Sequence, residues 1–182
     1  HFLQASLGAS LLSGLTAAEM SKIKLGVTTD EIDDDILTAS KFLNEFHLHY
    51  AEVRNIWGKY NTAQPIEKVK ECKSIFDHHK IKTSILGTGF FKVPLPPNTD
   101  EGKQALDKQW ALLDGAMERA KIFGTDKIRT FAFTYDKTQK PTPADYDRIY
   151  KTLIKGADLA DVTSMFVIEE IKHTTALPLS HI

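Results

Sequence analysis

The feature that most limits how this chain can fold is a change of hydrophobic period that repeats along it. Short apolar runs alternate with longer stretches in which apolar residues return every three or four positions. The first period is that of a strand and the second that of an amphipathic helix. IKLGVTT (residues 23–29), LHYAEVRNIW (48–57), IKTSIL (81–86), KIRTFAFTY (127–135) and MFVIEE (165–170) read as strands. Between them, DDDILTASKFLNEF places Ile36, Ala39, Leu43 and Phe46 on one helical face, and PIEKVKECKSIFDHHK places Val69, Cys72, Ile75, Phe76 and His79 near one face with Pro65 at a first helical position. Residues 101–123 carry Leu106, Trp110, Leu113, Met117 and Ala120 at helical spacing with Gly124 as a stop, and TPADYDRIYKTLIKG opens a fourth helix near Pro143.

The resulting order is βαβαβαβαβ. Strands joined through helices are parallel, and their helix-facing side must be covered, so the class is α/β. No GxGxxG or GxxxxGK[ST] follows any of the strands, which weakens a nucleotide-binding open sheet against a barrel. GTGFFKVPLPPNTD after the third strand, with its glycines and prolines, predicts a shaped surface loop, and its glycine pair is a weak signal for phosphate or sugar-oxygen contact.

Composition narrows the function classes. With 182 residues, 42% apolar and 26% charged, the chain can bury one core. A net charge of -1 without a Lys/Arg block removes the electrostatic argument for a nucleic-acid partner. Cys72 is the sole cysteine, so no internal disulfide forms, and its apolar-side position predicts a buried structural thiol. Asp33, Asp34 and Asp35 suit a helix N-terminus as caps and dipole partners rather than a metal cage. His47 and His49 flank the start of the second strand at its amino side, and His78 and His79 stand at a helix C-terminus, where positive character is favourable.

Residues 1–21 differ in texture. HFLQASLGASLLSGLTAAE has no charged side chain before Glu19 and is too short and too dotted with Gly and Ser for a stable membrane span. It resembles the part of a bacterial twin-arginine export signal that follows the arginine pair, with Phe2 and Leu3 in apolar positions and a small-x-small exit at Thr16, Ala17 and Ala18. The expectation is an export-signal remnant, hence a periplasmic or exported protein. The alternative is a flexible arm on a cytoplasmic one.

The strand ends carry a second resemblance. IKLGVTT, YAEVRNIWGKYN with Glu52 and Arg54, and MFVIEE with Glu169 resemble the sugar phosphate isomerase/epimerase family with the xylose-isomerase-like TIM-barrel fold. The resemblance spans residues 22–170 and implies a partial (β/α)8 TIM barrel of about five parallel strands with four crossover helices, followed by a C-terminal tail, 171–182. A complete barrel has eight strands and about a hundred further residues, so the chain reads as an N-terminal portion whose edge strand needs the missing half or another chain to cover it. The family implies a small sugar or sugar-phosphate substrate and a divalent metal, Mg²⁺ or Mn²⁺ and alternatively Zn²⁺, expected of a complete homologue. Glu169 takes the position of the fifth-strand metal ligand, with His173 as a potential second ligand. Glu170, Ile171 and Lys172 depart from the family's continuation.

Glu52 and Arg54 lie two apart on one strand and share a face, which makes them the catalytic candidates, against a structural role at the strand rim. The implied chemistry is carboxylate acid/base movement of a proton, or of a hydride, between neighbouring carbons of a hydroxy-carbonyl sugar. As an isolated chain it is expected to be inactive. Two other readings stand beside it: a non-catalytic partial-barrel interaction module or fragment, and a metal-dependent endonuclease-like hydrolase on the same fold, which would need a basic surface.

Overall fold

A computed structural model of the protein describes residues 24–135, 140–161 and 166–170. The export segment expected over 1–21 and the tail 171–182, which holds His173, lie outside the described residues. The architecture is a partial (β/α) barrel. Five parallel strands stand side by side in chain order: β1 (Gly26–Thr28), β2 (Tyr50–Val53), β3 (Lys82–Gly87), β4 (Lys127–Phe131) and β5 (Phe166–Glu170). The crossovers carry α1 (Ile36–Glu45), α2 (Ile66–His78), α3 (Asp100–Phe123) and α4 (Pro143–Asp161). Because each right-handed crossover moves to the adjacent position, all four helices stack on one side of the sheet and the other side becomes the barrel interior. No described helix is long and apolar enough to cross a membrane.

The helix ends follow their local chemistry. Asp35 caps α1, accepting from Thr38 N at 2.9 Å and from the Thr38 hydroxyl at 2.8 Å, which also holds its carboxyl below the usual range. Thr99 caps α3 by accepting from Gly102 N, and Gly124 closes that helix in the left-handed region at φ 70°. Pro65 stands at the cap of α2, one position before the helix begins.

Between helices and sheet lies one core. Ala51, Val53, Leu86 and Ile128 from the strands meet Val69, Cys72, Phe76, Leu113, Ala116 and Ala120 from the helices, all at 0% exposure. Burial pushes the Cys72 thiol up to about 12, so it packs as a small apolar group. His79 is moved downward instead, first by burial and then by His78 and Lys41, which disfavours a positive charge on that ring.

Three expectations are corrected. The second strand ends at Val53, four residues before Trp57. Asn55–Ile56 and Lys59–Tyr60 instead form a small antiparallel hairpin, turned by Trp57 at φ 46° and Gly58 at φ 75°. Phe46 leaves the apolar face of α1 because the helix stops at Glu45. It is 56% exposed and stacks on Phe42 with centroids 4.6 Å apart. The loop after β3 is not wholly superficial: Phe90 and Phe91 are fully buried, stacked on each other and packed against Trp110 and Phe133.

That loop approaches the first turn of α3 so closely that an added Cβ at Gly102 would lie 1.8 Å from the Pro97 carbonyl oxygen. Gly102→Ala is therefore expected to lose about 2 kcal/mol of stability in urea unfolding. Gly115→Ala, in the same helix, meets only the end of Arg119 at 3.3 Å. It is expected to stay within about 1 kcal/mol of the parent, because helix propensity favours it.

Candidate active site at the strand ends

The site begins with an irregularity in the sheet. β2 and β3 pair Ala51 with Thr83, but the next pair is Glu52 with Ile85, leaving Ser84 as an extra residue. Its polar groups are satisfied: the hydroxyl donates to Ala51 O at 3.0 Å, and its carbonyl accepts from the Thr125 hydroxyl at 3.0 Å. A one-residue shift exchanges the two faces of a strand. Here it sends Leu86 into the core opposite Val53 and brings Gly87 to the barrel-interior side, between Glu52 of β2 and Arg129 of β4.

Gly87 keeps that space open. A Cβ there would fall 2.5 Å from Glu52 Oε1, 2.9 Å from Arg129 Nη2 and 3.1 Å from Arg54 Cβ. Across the bare backbone, Arg129 Nε stands 2.8 Å from Glu52 Oε1, with side chains only 12% and 20% exposed. The other oxygen, Oε2, accepts a long 3.4 Å hydrogen bond from the Thr28 hydroxyl on β1. Neighbouring strands thus contribute Thr28, Glu52, Gly87 and Arg129 to one layer.

Arg54 lies on the same side as Glu52 but has different partners. Its Nε donates to Asp30 Oδ2 at 2.8 Å and its Nη2 to Glu31 Oε1 at 2.6 Å, while Asn55 N donates to Asp30 Oδ1 at 3.2 Å. The hydrogen bond to Asp30, whose side chain is 3% exposed, is the largest cause raising the guanidinium further above its ordinary value. This fork ties the loop after β1 to the end of β2. Asn61 adds a second tie: fully buried, its Nδ2 lies within hydrogen-bonding reach of Val53 O, Arg54 O and Gly87 O at 3.1, 2.9 and 2.6 Å.

Around the layer stands an aromatic rim. Lys92, in the loop after β3, places Nζ 5.3 Å from the Phe131 centroid and 3.3 Å from Tyr60 Oη, and Arg129 Cζ lies 5.6 Å from the same Phe131 ring. On β5 the register sets Glu169 beside Thr130 and Glu170 beside Phe131. Both carboxylate-bearing residues therefore reach the carboxyl end of the sheet. Among the described residues, no group of three or more His, Cys, Asp and Glu side chains converges as a metal cage. A cavity of about 380 Å³ lies elsewhere, lined by residues including Val93, Leu95, Pro97, Ala105 and Gln109, none of which belongs to the strand-end layer.

Of the sequence candidates, Glu52 and Arg54 are thus brought to one rim but into separate ion pairs, Glu169 reaches the same end of the sheet, and His173 lies outside the described residues. Arg129, Thr28, Gly87 and Asp30 were not singled out. Arg129 carried a readable signal, a charge at an alternating position inside the apolar strand KIRTF.

Comparison with known proteins places this arrangement on a shared scaffold. No protein-family model matches the chain. The structure superposes on 3-keto-D-glucoside 4-epimerase YcjR from E. coli with a TM-score of 0.58 at 16% identity, covering 81% of this chain and 56% of that one. It superposes on D-allulose 3-epimerase from Methylomonas sp. with a TM-score of 0.62 at 12% identity (82% and 51% covered). For the probable 3-DHS dehydratase AsbF from Bacillus anthracis the TM-score is 0.61 at 16% identity (84% and 54% covered).

The fold is the xylose-isomerase-like TIM barrel, in partial form. The chain spans about half the length of these solved structures. Separately, a stretch of 43 residues is 46% identical to part of the glutamate uptake regulatory protein of Zymomonas mobilis subsp. mobilis, covering 24% of this chain and 26% of that protein. That likeness is confined to about a quarter of either chain.

The role of Gly87 is directly testable. Gly87→Ala is expected to lose about 1 kcal/mol in urea unfolding, because the methyl group must displace the ends of the paired Glu52 and Arg129 side chains. Most of that loss is expected to vanish when Glu52→Ala is the background, and an equal loss in both backgrounds would place the strain elsewhere.

Proposed function

We propose that the chain provides the strand-end layer of a sugar or sugar-phosphate isomerase/epimerase, with Glu52 as the carboxylate that meets the substrate. The observation that carries this reading is the Glu52–Arg129 pair on the barrel-interior side, level with the carboxyl ends of β2 and β3, the end where barrels of this kind place their chemistry. Arg129 Nε stands 2.8 Å from Oε1 as an ion pair, while among the described residues Oε2 has the long contact with Thr28. Oε2 is thus available to a proton on a carbon beside a sugar carbonyl. Removing that proton gives an enediolate, and returning it to the opposite face, or to the neighbouring carbon, completes epimerisation or isomerisation.

Arg54 acts as a positioning residue, since Asp30 and Glu31 occupy its guanidinium. A divalent ion is the cofactor that this reading adds, with Glu169 and His173 as its proposed ligands. The described residues alone do not enclose one, and the proton transfer is assigned to Glu52. The fold shared with a dehydratase supports a second outcome of the same proton abstraction, loss of the neighbouring hydroxyl as water.

The test uses the protein expressed with its native downstream coding sequence, a panel of ketoses and their phosphates, and detection of both epimerised and dehydrated products by NMR. Glu52→Gln is expected to cost at least ~100-fold in turnover. Mn²⁺ affinity is expected to fall in Glu169→Gln and His173→Ala, with Glu170→Gln as the neighbour on the adjacent register position. The 182-residue chain alone is expected to turn over little or nothing. Turnover indifferent to Glu52 would remove the mechanism, and Mn²⁺ affinity indifferent to Glu169 and His173 would remove their ligand roles.

A further inference from the structure

Among the described side chains, charge balance at the rim leaves Lys92 without a carboxylate. Asp30 and Glu31 are held by Arg54, and Glu52 is held by Arg129. Lys92 lies beside them, and among the described residues its ammonium meets the Tyr60 hydroxyl and the rings of Tyr60 and Phe131. An ammonium over aromatic faces is favourable but keeps its hydrogen-bonding protons available.

The backbone that presents this lysine is unusually well fixed for a loop. Phe90 and Phe91 immediately before it are fully buried, and Phe91 takes a left-handed conformation at φ 59°. Phe91 N donates to Gln109 Oε1 at 2.8 Å, Lys92 N to Gly89 O at 2.9 Å, and Phe131 N to Phe90 O at 3.0 Å. The Thr88 hydroxyl donates to Arg129 O at 2.8 Å while accepting from Phe90 N. Strained backbone held by buried anchors is a costly way to carry an ordinary solvated lysine, and it fits a side chain whose position matters.

We propose that Lys92 is the anion-holding residue of the substrate site, so that the substrate class is a sugar derivative bearing a terminal phosphoryl or carboxylate group. This rests on the strand-end layer being the substrate site. The sugar body would lie toward Glu52 and Arg129, and the anionic end would reach Lys92, with Tyr60 Oη as a neighbouring donor and the Phe131 ring shared between the two ends. Glu170 stands in backbone register with Phe131 on the neighbouring strand, which makes Glu170→Gln the control for a competing carboxylate.

The experiment is a binding titration followed by NMR, using the protein with its native downstream sequence. The probes are D-ribose 5-phosphate, D-ribonate, inorganic phosphate and neutral D-ribose. Ribose 5-phosphate or ribonate is expected to bind at least about tenfold more tightly than ribose, the size of one charge-assisted hydrogen bond. The preference is expected to be lost in Lys92→Met and largely kept in Lys92→Arg. Which of the two anions binds better identifies phosphoryl or carboxylate as the group.

Since Lys92 is exposed, the variants are expected to fold, and their near-UV circular dichroism checks that they do. Equal binding of ribose and both anions, or an anion preference unchanged in Lys92→Met, would overturn the proposal. So would a preference that appears only in Glu170→Gln, because Lys92 would then be the internal partner of that carboxylate. Binding is read without turnover, so failure of the proposed reaction and failure of this site are separable.

Discussion

Glu52 and Arg129 meet only because the strand between them carries no side chain at Gly87, and Gly87 is there only because β3 carries one extra residue at Ser84. In a regular ladder the pairing begun at Ala51–Thr83 would bring Ile85 into the helix layer and turn Leu86 toward the interior. The same irregularity therefore does two things: it puts Leu86 into the core at 0% exposure, and it leaves a gap through which two charges on second-neighbour strands make contact. Core packing and site geometry are consequences of one register choice.

Two ties hold the strand ends around that gap. Arg54 joins the end of β2 to the loop after β1 through a carboxylate only 3% exposed, and Asn61 brings the Val53, Arg54 and Gly87 carbonyls to one side-chain amide. Arg119 of α3 donates in turn to the Asn61 and Gln64 carbonyls. A chain of hydrogen bonds thus runs from the helix layer to the strand ends, and such networks stiffen a site because each member is costly to leave unpaired.

The periodicity of the sequence predicted the strand order and the helices, because apolar spacing is what the sheet and its cover must obey. Val69, Cys72 and Phe76 on α2, and Leu113, Met117 and Ala120 on α3, occupy the core as their spacing implied. The bulge was not legible, since TSIL reads equally well with either residue set inward. Nor was the hairpin after β2, whose turn depends on a left-handed Trp57 that no propensity favours. Phe90 and Phe91 sat inside a stretch rich in glycine and proline, and their burial depends on Trp110 and Phe133, distant in the chain.

At the site, Glu52 and Arg54 were visible as a charged pair, but their partners come from β1 and β4 and are set by three-dimensional register alone. Epimerases and a dehydratase share this scaffold at identities of 16% and below, so the scaffold alone does not set the reaction. What distinguishes this chain is the particular set of side chains at its strand ends.

The measurement that bears most directly on this account is a double-mutant cycle between Glu52→Gln and Arg129→Met, read by urea unfolding. A coupling energy of about 2 kcal/mol is expected, because the two charges stand 2.8 Å apart in a largely enclosed position. Additivity within about 0.5 kcal/mol would contradict it, since the two charges would then be independent and Gly87 would have no pair to accommodate.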